Sequence, residues 1–204
     1  VAAVAKSWLV LSPKRTGSLA IVRSLYALYN YDANKFNYVS PSDSPHSIQQ
    51  DFIIHTHNID WIEFVTENTE VIISVRDPVE SSLSWCIQPL LKEWHFYPWQ
   101  VDKVNEIKKI EGFYLNPKDF IQSYENTIQW YNDLKIKDSY KILNYADWKD
   151  NPSTILTRLG YDTIAKENRL TLKNPGMPER WIKNYDEISD IANKLSREIP
   201  LSYL

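Results

Sequence analysis

Cysteine is nearly absent from this chain of 204 residues: Cys86 is the only one. A single thiol excludes an internal disulfide and a cysteine-rich metal site, and it fits a reducing, cytoplasmic setting. No apolar run approaches the length needed to span a membrane, and no signal-peptide pattern opens the chain. The first residue is Val1 rather than Met, which leaves room for a preceding segment. An excess of positive charge is missing too. With 23 Lys and Arg against 26 Asp and Glu the net charge is -3, so nucleic acid is not an expected partner and any anion site must be local. Neither an internal repeat nor a low-complexity segment is found. What is present is 43% hydrophobic residues in a length that suits one well-packed domain, 1–204.

The stretch Trp8–Tyr29 reads as strand, turn and helix in unbroken succession. Trp8–Leu11 is a short apolar run that Ser12-Pro13 ends. A basic turn with one glycine follows, and from Ser18 the apolar positions Leu19, Val22, Tyr26 and Tyr29 recur at helical spacing. A helix opening at Ser18 turns its first N–H groups back toward Lys14, Arg15 and Thr16, and such a helix start binds phosphate. The nucleotide-triphosphatase pattern GxxxxGK[ST] does not fit. It needs a glycine five residues before Gly17 and a lysine after it, where this chain has Ser12 and Ser18.

Further along, Tyr31–Gln50 is rich in Asn, Asp, Ser and Pro and reads as a long loop. Phe52-Ile53-Ile54 predicts a second strand, ending in His55-Thr56-His57. Alternate residues of a strand share a face, so a metal pair must be weighed, but neither His46 nor His95 has the spacing of a third ligand. A strand-end histidine bonded to a nearby carbonyl is the plainer account of His57. Asn58–Thr66 predicts a short helix that buries Ile59, Ile62 and Phe64 or Val65. Val71–Val75 predicts a strand inside a parallel sheet. Arg76 follows it, and Asp77-Pro78-Val79-Glu80 carries the Asp cap, N1 proline and N3 acid of a helix start. Ser84, two turns beyond the cap, lies on the face that looks back toward Arg76.

Trp85–Trp99 is dense in aromatics; Trp85, Trp94, Phe96, Tyr97 and Trp99 suit either an acceptor pocket or core packing. Val101–Glu111 and Pro117–Lys135 predict helices, the second with a core stripe of Phe120, Ile121, Tyr124, Ile128 and Tyr131. Tyr140–Leu143 predicts a fourth strand, and Tyr145 through Pro152 leads into a helix ending near Gly160. A last helix is expected over Glu179–Arg197, with Ile188, Ile191 and Leu195 on one face.

Pro13-Lys14-Arg15-Thr16-Gly17-Ser18-Leu19 resembles the 5′-phosphosulfate loop of the sulfotransferases, PKSGTT or PRSGTT, with one extra residue after the proline. His57 matches the histidine of that family's Lys-Thr-His, with His55 in the lysine's place. Arg76 and Ser84 match its RxPxxxxxS, and Tyr145-Ala146-Asp147-Trp148 its Tyr-Glu-Asp-Leu. The family's closing Arg-Lys-Gly and Gly-Asp-Trp-Lys-Asn are altered here to Lys173-Asn174-Pro175-Gly176 and Trp181-Ile182-Lys183-Asn184, with Arg180 another candidate cation. The resemblance implies an α/β fold of three layers, a parallel β-sheet flanked by helices, in the P-loop-like sulfotransferase manner. It implies 3′-phosphoadenylyl sulfate (PAPS) as donor, adenosine 3′,5′-bisphosphate (PAP) as product, a small-molecule or glycan acceptor, and no metal. His57 would be the general base. Counting back from Gly17 gives Arg15, with Lys14 beside it, the catalytic cation's place. Lys14, Arg15, Thr16, Gly17, Ser18 and Leu19 would hold the 5′-phosphate, Arg76 and Ser84 the 3′-phosphate, and Tyr145 would lie near the nucleotide. The rival readings are a P-loop-related kinase and a catalytically silent nucleotide-binding module of the same fold.

Overall fold

The computed structural model describes residues 7–28, 36–38, 53–87, 114–162 and 182–196, with 36–38 described by backbone alone. Within them, short and mostly apolar runs form the strands β1 (Ser7–Leu11), β2 (Phe36–Tyr38), β3 (Ile53–Thr56), β4 (Thr69–Val75) and β5 (Lys141–Asn144). They make one sheet in the order β2-β3-β1-β4-β5, and every pairing is parallel. All five residues of β1 are buried, as a central strand covered on both faces requires.

Alternation along β1 divides the core in two. Trp8 and Val10 pack with Ile53, Ile72 and Leu143 under α1 (Ser18–Ala27), Trp148 of the one-turn α4 (Tyr145–Trp148), and α5 (Ile155–Arg158). Leu9 and Leu11 pack with Ile54, Val71 and Ile73 under Trp61 and α3 (Pro117–Asp133). A third cluster joins α2 (Pro78–Ile87) to α3 and α6 (Tyr185–Lys194) through Val79, Leu83, Phe120 and Ile188. The result is the expected α/β architecture, a parallel sheet flanked by helices. Each fully buried Leu, Ile or Val contributes about 1.5–3 kcal/mol. β1 runs on to α1, over the Trp8 side of the sheet, and β4 runs on to α2, which packs on α3 over the Leu9 side. The chain thus turns to opposite faces at the carboxyl ends of these neighbouring strands, the place where ligands bind in open parallel sheets.

Several elements differ from expectation. Within the presumed loop 31–50 lies β2, which extends the sheet beyond β3. The segment after His57 is a 3₁₀ helix, Ile59–Phe64, and its three-residue turn buries Trp61 completely while Phe64 stays exposed. In α1 the buried face is Ser18, Ile21, Val22 and Leu25, with Leu19 and Tyr26 only half-buried. In α3 the buried positions are Phe120, Thr127 and Tyr131, so Ile121, Tyr124 and Ile128 sit at the margin. The helix expected after Pro152 is present as a 3₁₀ turn, Pro152–Thr154, that runs into α5, and α4 precedes it as a separate turn that was not expected. Pro152 forces the break, because it disfavours helical backbone at Asn151, which adopts φ -137 and ψ 78. The last helix starts at Tyr185, after a turn at Lys183 and Asn184. The expected helix Val101–Glu111, the aromatics Trp94, Phe96, Tyr97 and Trp99, and Tyr29, His46, His95, Lys173, Arg180 and Trp181 lie outside the described residues. Among the described residues, no helix is long and apolar enough to cross a membrane.

Candidate functional site

The carboxyl ends of β1, β3 and β4 bring the loop 12–17, His57 and Arg76 to one end of the sheet. The loop is stapled from within and from below. Thr16 Oγ1 donates to the Pro13 carbonyl at 3.2 Å, and the fully buried Ser74 of β4 donates to the Thr16 carbonyl at 2.9 Å. Gly17 is required twice over. Its φ is 83, and a Cβ there would lie 2.6 Å from the Trp148 ring and 2.8 Å from that of Tyr145. Arg15 also holds a left-handed backbone, with φ 65, a conformation that costs a residue with a Cβ about 1–3 kcal/mol.

Ser18 and Leu19 open α1, whose first turn carries no acid. The first turns of α2, α3 and α6 contain Glu80, Asp119, and Asp186 with Glu187 respectively. An acid offsets the positive end of a helix dipole, so α1 is left fit for an external anion. Ser18 is buried and its hydroxyl meets His55 Nε2 at 2.8 Å. His55 therefore sits beneath the helix start.

His57 meets the first residue of the loop. Its Nδ1 is 2.8 Å from the Ser12 carbonyl, which can only accept, so Nδ1 carries the proton and the neutral ring keeps its lone pair on Nε2. The Ser12 hydroxyl is more distant, at 3.4 Å. Burial lowers the His57 pKa, the Ser12 bond opposes that, and the positive charge of Lys14 lowers it further. The ring is thereby kept neutral. His55 and His57 stand edge to face with centroids 5.1 Å apart.

Arg15 joins Arg76, just before α2, to Ser84, two turns inside it. Arg15 Nε donates to Ser84 Oγ at 3.2 Å, and Arg76 Nη1 donates to the Arg15 carbonyl at 3.0 Å. Arg76 Nε pairs with Glu80 at 3.2 Å, so the N3 acid turns its carboxylate to Arg76 while its N–H takes the Asp77 cap at 2.9 Å. Burial, then repulsion from Arg76, lowers the Arg15 pKa, and two crowded guanidiniums favour an anion. The Arg76 guanidinium also lies 4.3 Å from the centre of the Tyr145 ring. Exposed Lys14 lies with its ammonium 4.3 Å from the centre of the Trp85 ring, on α2.

The structure thus brings together Lys14, Arg15, Thr16, Gly17, Ser18, Leu19, His57, Arg76, Ser84 and Tyr145. The positive charge of Lys14 acts on His57, and Arg15 joins Arg76 and Ser84. Sequence reading missed Ser12, Ser74 and Glu80, and it took Tyr131 only as core and passed over Trp130. Trp130 Nε1 donates to the His57 carbonyl at 2.8 Å, and the Tyr131 hydroxyl donates to the Arg76 carbonyl at 3.1 Å. No pattern in sequence separates a core tyrosine from one whose hydroxyl holds a strand end. Among the described residues, no group of three or more His, Cys, Asp or Glu is arranged to hold a metal ion.

No family model matches the chain, and no curated protein matches it. Among solved structures, the chain is similar to mouse sulfotransferase SULT7A1 in complex with PAP, with 17% identity and a TM-score of 0.41 over 95% of this chain. The match spans 66% of the mouse protein, just under two thirds of its length. It is also similar to a sulfotransferase from Alicyclobacillus acidocaldarius, with 10% identity and a TM-score of 0.42 over 94% of this chain and 92% of that one.

Proposed function

We propose that this chain transfers the sulfuryl group of PAPS to an acceptor hydroxyl or amine of a small molecule or glycan. The observation that carries this reading is the loop's double attachment: Ser12 binds the imidazole of His57, and Arg15 is joined to both Arg76 and Ser84. A base and an anion clamp then flank one helix start.

In this reading, the N–H groups at Gly17, Ser18 and Leu19, with Thr16, hold the 5′-phosphate at the acid-free start of α1. Arg76 and Ser84 take the 3′-phosphate, and Tyr145, under Arg76, lies beside the nucleotide. His57 Nε2 removes the acceptor proton as the acceptor oxygen or nitrogen attacks sulfur in line. The bond from sulfur to the phosphate oxygen breaks, and its electron pair leaves with PAP. Lys14, the cation beside His57, is the group we assign to charge growing on that leaving oxygen, with Arg15 behind it.

The test is a thermal-shift titration with PAP beside ATP and Mg²⁺, followed by an acceptor screen with PAPS. Ligands that bind only the native state raise the melting temperature. Stabilisation by PAP, lost in Arg76→Ala, with turnover of at least one acceptor, is the expected result. Stabilisation by ATP with Mg²⁺ alone moves the chain to the kinase reading. PAP binding without turnover across the screen makes it a silent nucleotide-binding module.

A further inference from the structure

His57 and Arg76 both stand one residue past the last paired positions of their strands, Thr56 in β3 and Val75 in β4. Strand pairing therefore stops before the two residues whose separation matters most. Two consecutive residues of α3 reach these positions. Trp130 Nε1 donates to the His57 carbonyl, while the Tyr131 hydroxyl accepts from the Arg76 N–H at 3.1 Å as well as donating to the Arg76 carbonyl. A hydroxyl bonded to both backbone groups of one residue restricts both of its peptide planes, and with them the direction of its side chain. Tyr131 is 1% exposed, and burial pushes its phenol pKa up, so it remains a donor. The two rings brace each other edge to face at 5.7 Å. Packing against Leu9, Leu11 and Ile73 needs only the ring of Tyr131. The hydroxyl is spent on Arg76, as the indole N–H is spent on His57.

We propose that Trp130 and Tyr131 are positioning residues, and that α3 is the spacer fixing the base relative to the guanidinium that holds the 3′-phosphate. This rests on the sulfotransferase reading of His57 and Arg76. Removing the Tyr131 hydroxyl frees Arg76, whereas removing the Trp130 N–H frees His57. The two losses fall on different observables.

The experiment compares Tyr131→Phe and Trp130→Phe with the wild type in the full chain. PAP affinity is read by calorimetry, the titration of the His57 ring by NMR, and folding by thermal melt. Tyr131→Phe is expected to weaken PAP about tenfold, the size of one lost hydrogen-bonding group, and to leave the His57 titration in place. Trp130→Phe is expected to shift the His57 titration and to change PAP affinity less than about twofold. A purely structural role would move both observables in both variants along with the melting temperature, or neither, and that result overturns the inference. Wild-type chain that binds no PAP overturns the functional reading itself. Wild-type binding that Tyr131→Phe leaves intact overturns this inference alone.

Discussion

At the amino end of the sheet, Glu70 of β4 lies opposite Trp8 of β1 and is 7% exposed, yet a cation pairs with it. Lys141 Nζ lies 2.9 Å from its carboxylate and also donates to the Leu159 carbonyl, while the Tyr161 hydroxyl, itself taking the Trp8 indole N–H at 2.9 Å, lies 3.4 Å away. At the carboxyl end, Arg76 crowds Arg15, Glu80 is the acid paired with Arg76, and Lys14 adds a third positive charge. Charged, aromatic and hydroxyl groups are used at both ends. What differs is whether the charge is cancelled. The amino end closes its charges on itself and so serves stability, whereas the carboxyl end holds positive charge together at a cost that an incoming anion would relieve.

The largest effect expected on this contrast is at the carboxyl end. His57→Ala should lower turnover by about 10²–10⁴-fold on any acceptor that the wild type sulfates, with PAP affinity nearly unchanged in calorimetry. Retained turnover would remove the base assignment. Next comes Gly17→Ala, which combines left-handed backbone with a collision against Trp148 and Tyr145. It should cost about 2–5 kcal/mol in denaturant unfolding and weaken PAP binding as well. Glu70→Gln probes the opposite end: about 1–3 kcal/mol of stability should be lost with PAP affinity unaltered. A change in PAP affinity there would break the division between the two ends.

The smallest effect is on pH dependence. A buried imidazole beside a cation has a lowered pKa, so His57 becomes a competent base at a lower pH than an exposed histidine does. The rate should rise with pH through that lowered value and then level off. Removing a neighbouring positive charge raises the pKa, so Lys14→Ala should move this rising limb to higher pH. A limb that stays still, or moves down, would separate Lys14 from His57.

How much of this could be read from the residues alone depends on how local each cause is. The strands at Trp8–Leu11 and Val71–Val75 were legible because a run of buried apolar residues dictates them from within. The start of α2 was legible because Asp77, Pro78 and Glu80 act within one turn. In contrast, Phe36–Tyr38 becomes a strand only through its pairing with β3. The burial of Trp61 follows from a 3₁₀ turn, whose phase differs from that of an α-helix. For the site, Gly17, His57, Arg76 and Ser84 became candidates through the resemblance to the sulfotransferase motifs. That Lys14 turns toward Trp85 and Arg15 toward Ser84 could not be read there, because it depends on a left-handed Arg15 that no spacing rule anticipates.

By itself the sequence determined the parallel α/β class, the acid-free helix start after the first strand, and the kinds of chemistry that a lone cysteine and a net negative charge leave open. Only the tertiary structure decided which cation faces which partner, that Glu80 pairs with Arg76, and that Trp130 and Tyr131 hold the ends of β3 and β4. The physical reason is range. Strand propensity and helix capping act over one to four residues, whereas the contacts that aim the site join residues 61, 69 and 73 positions apart. Such contacts exist only once the sheet has brought the carboxyl ends of its strands together.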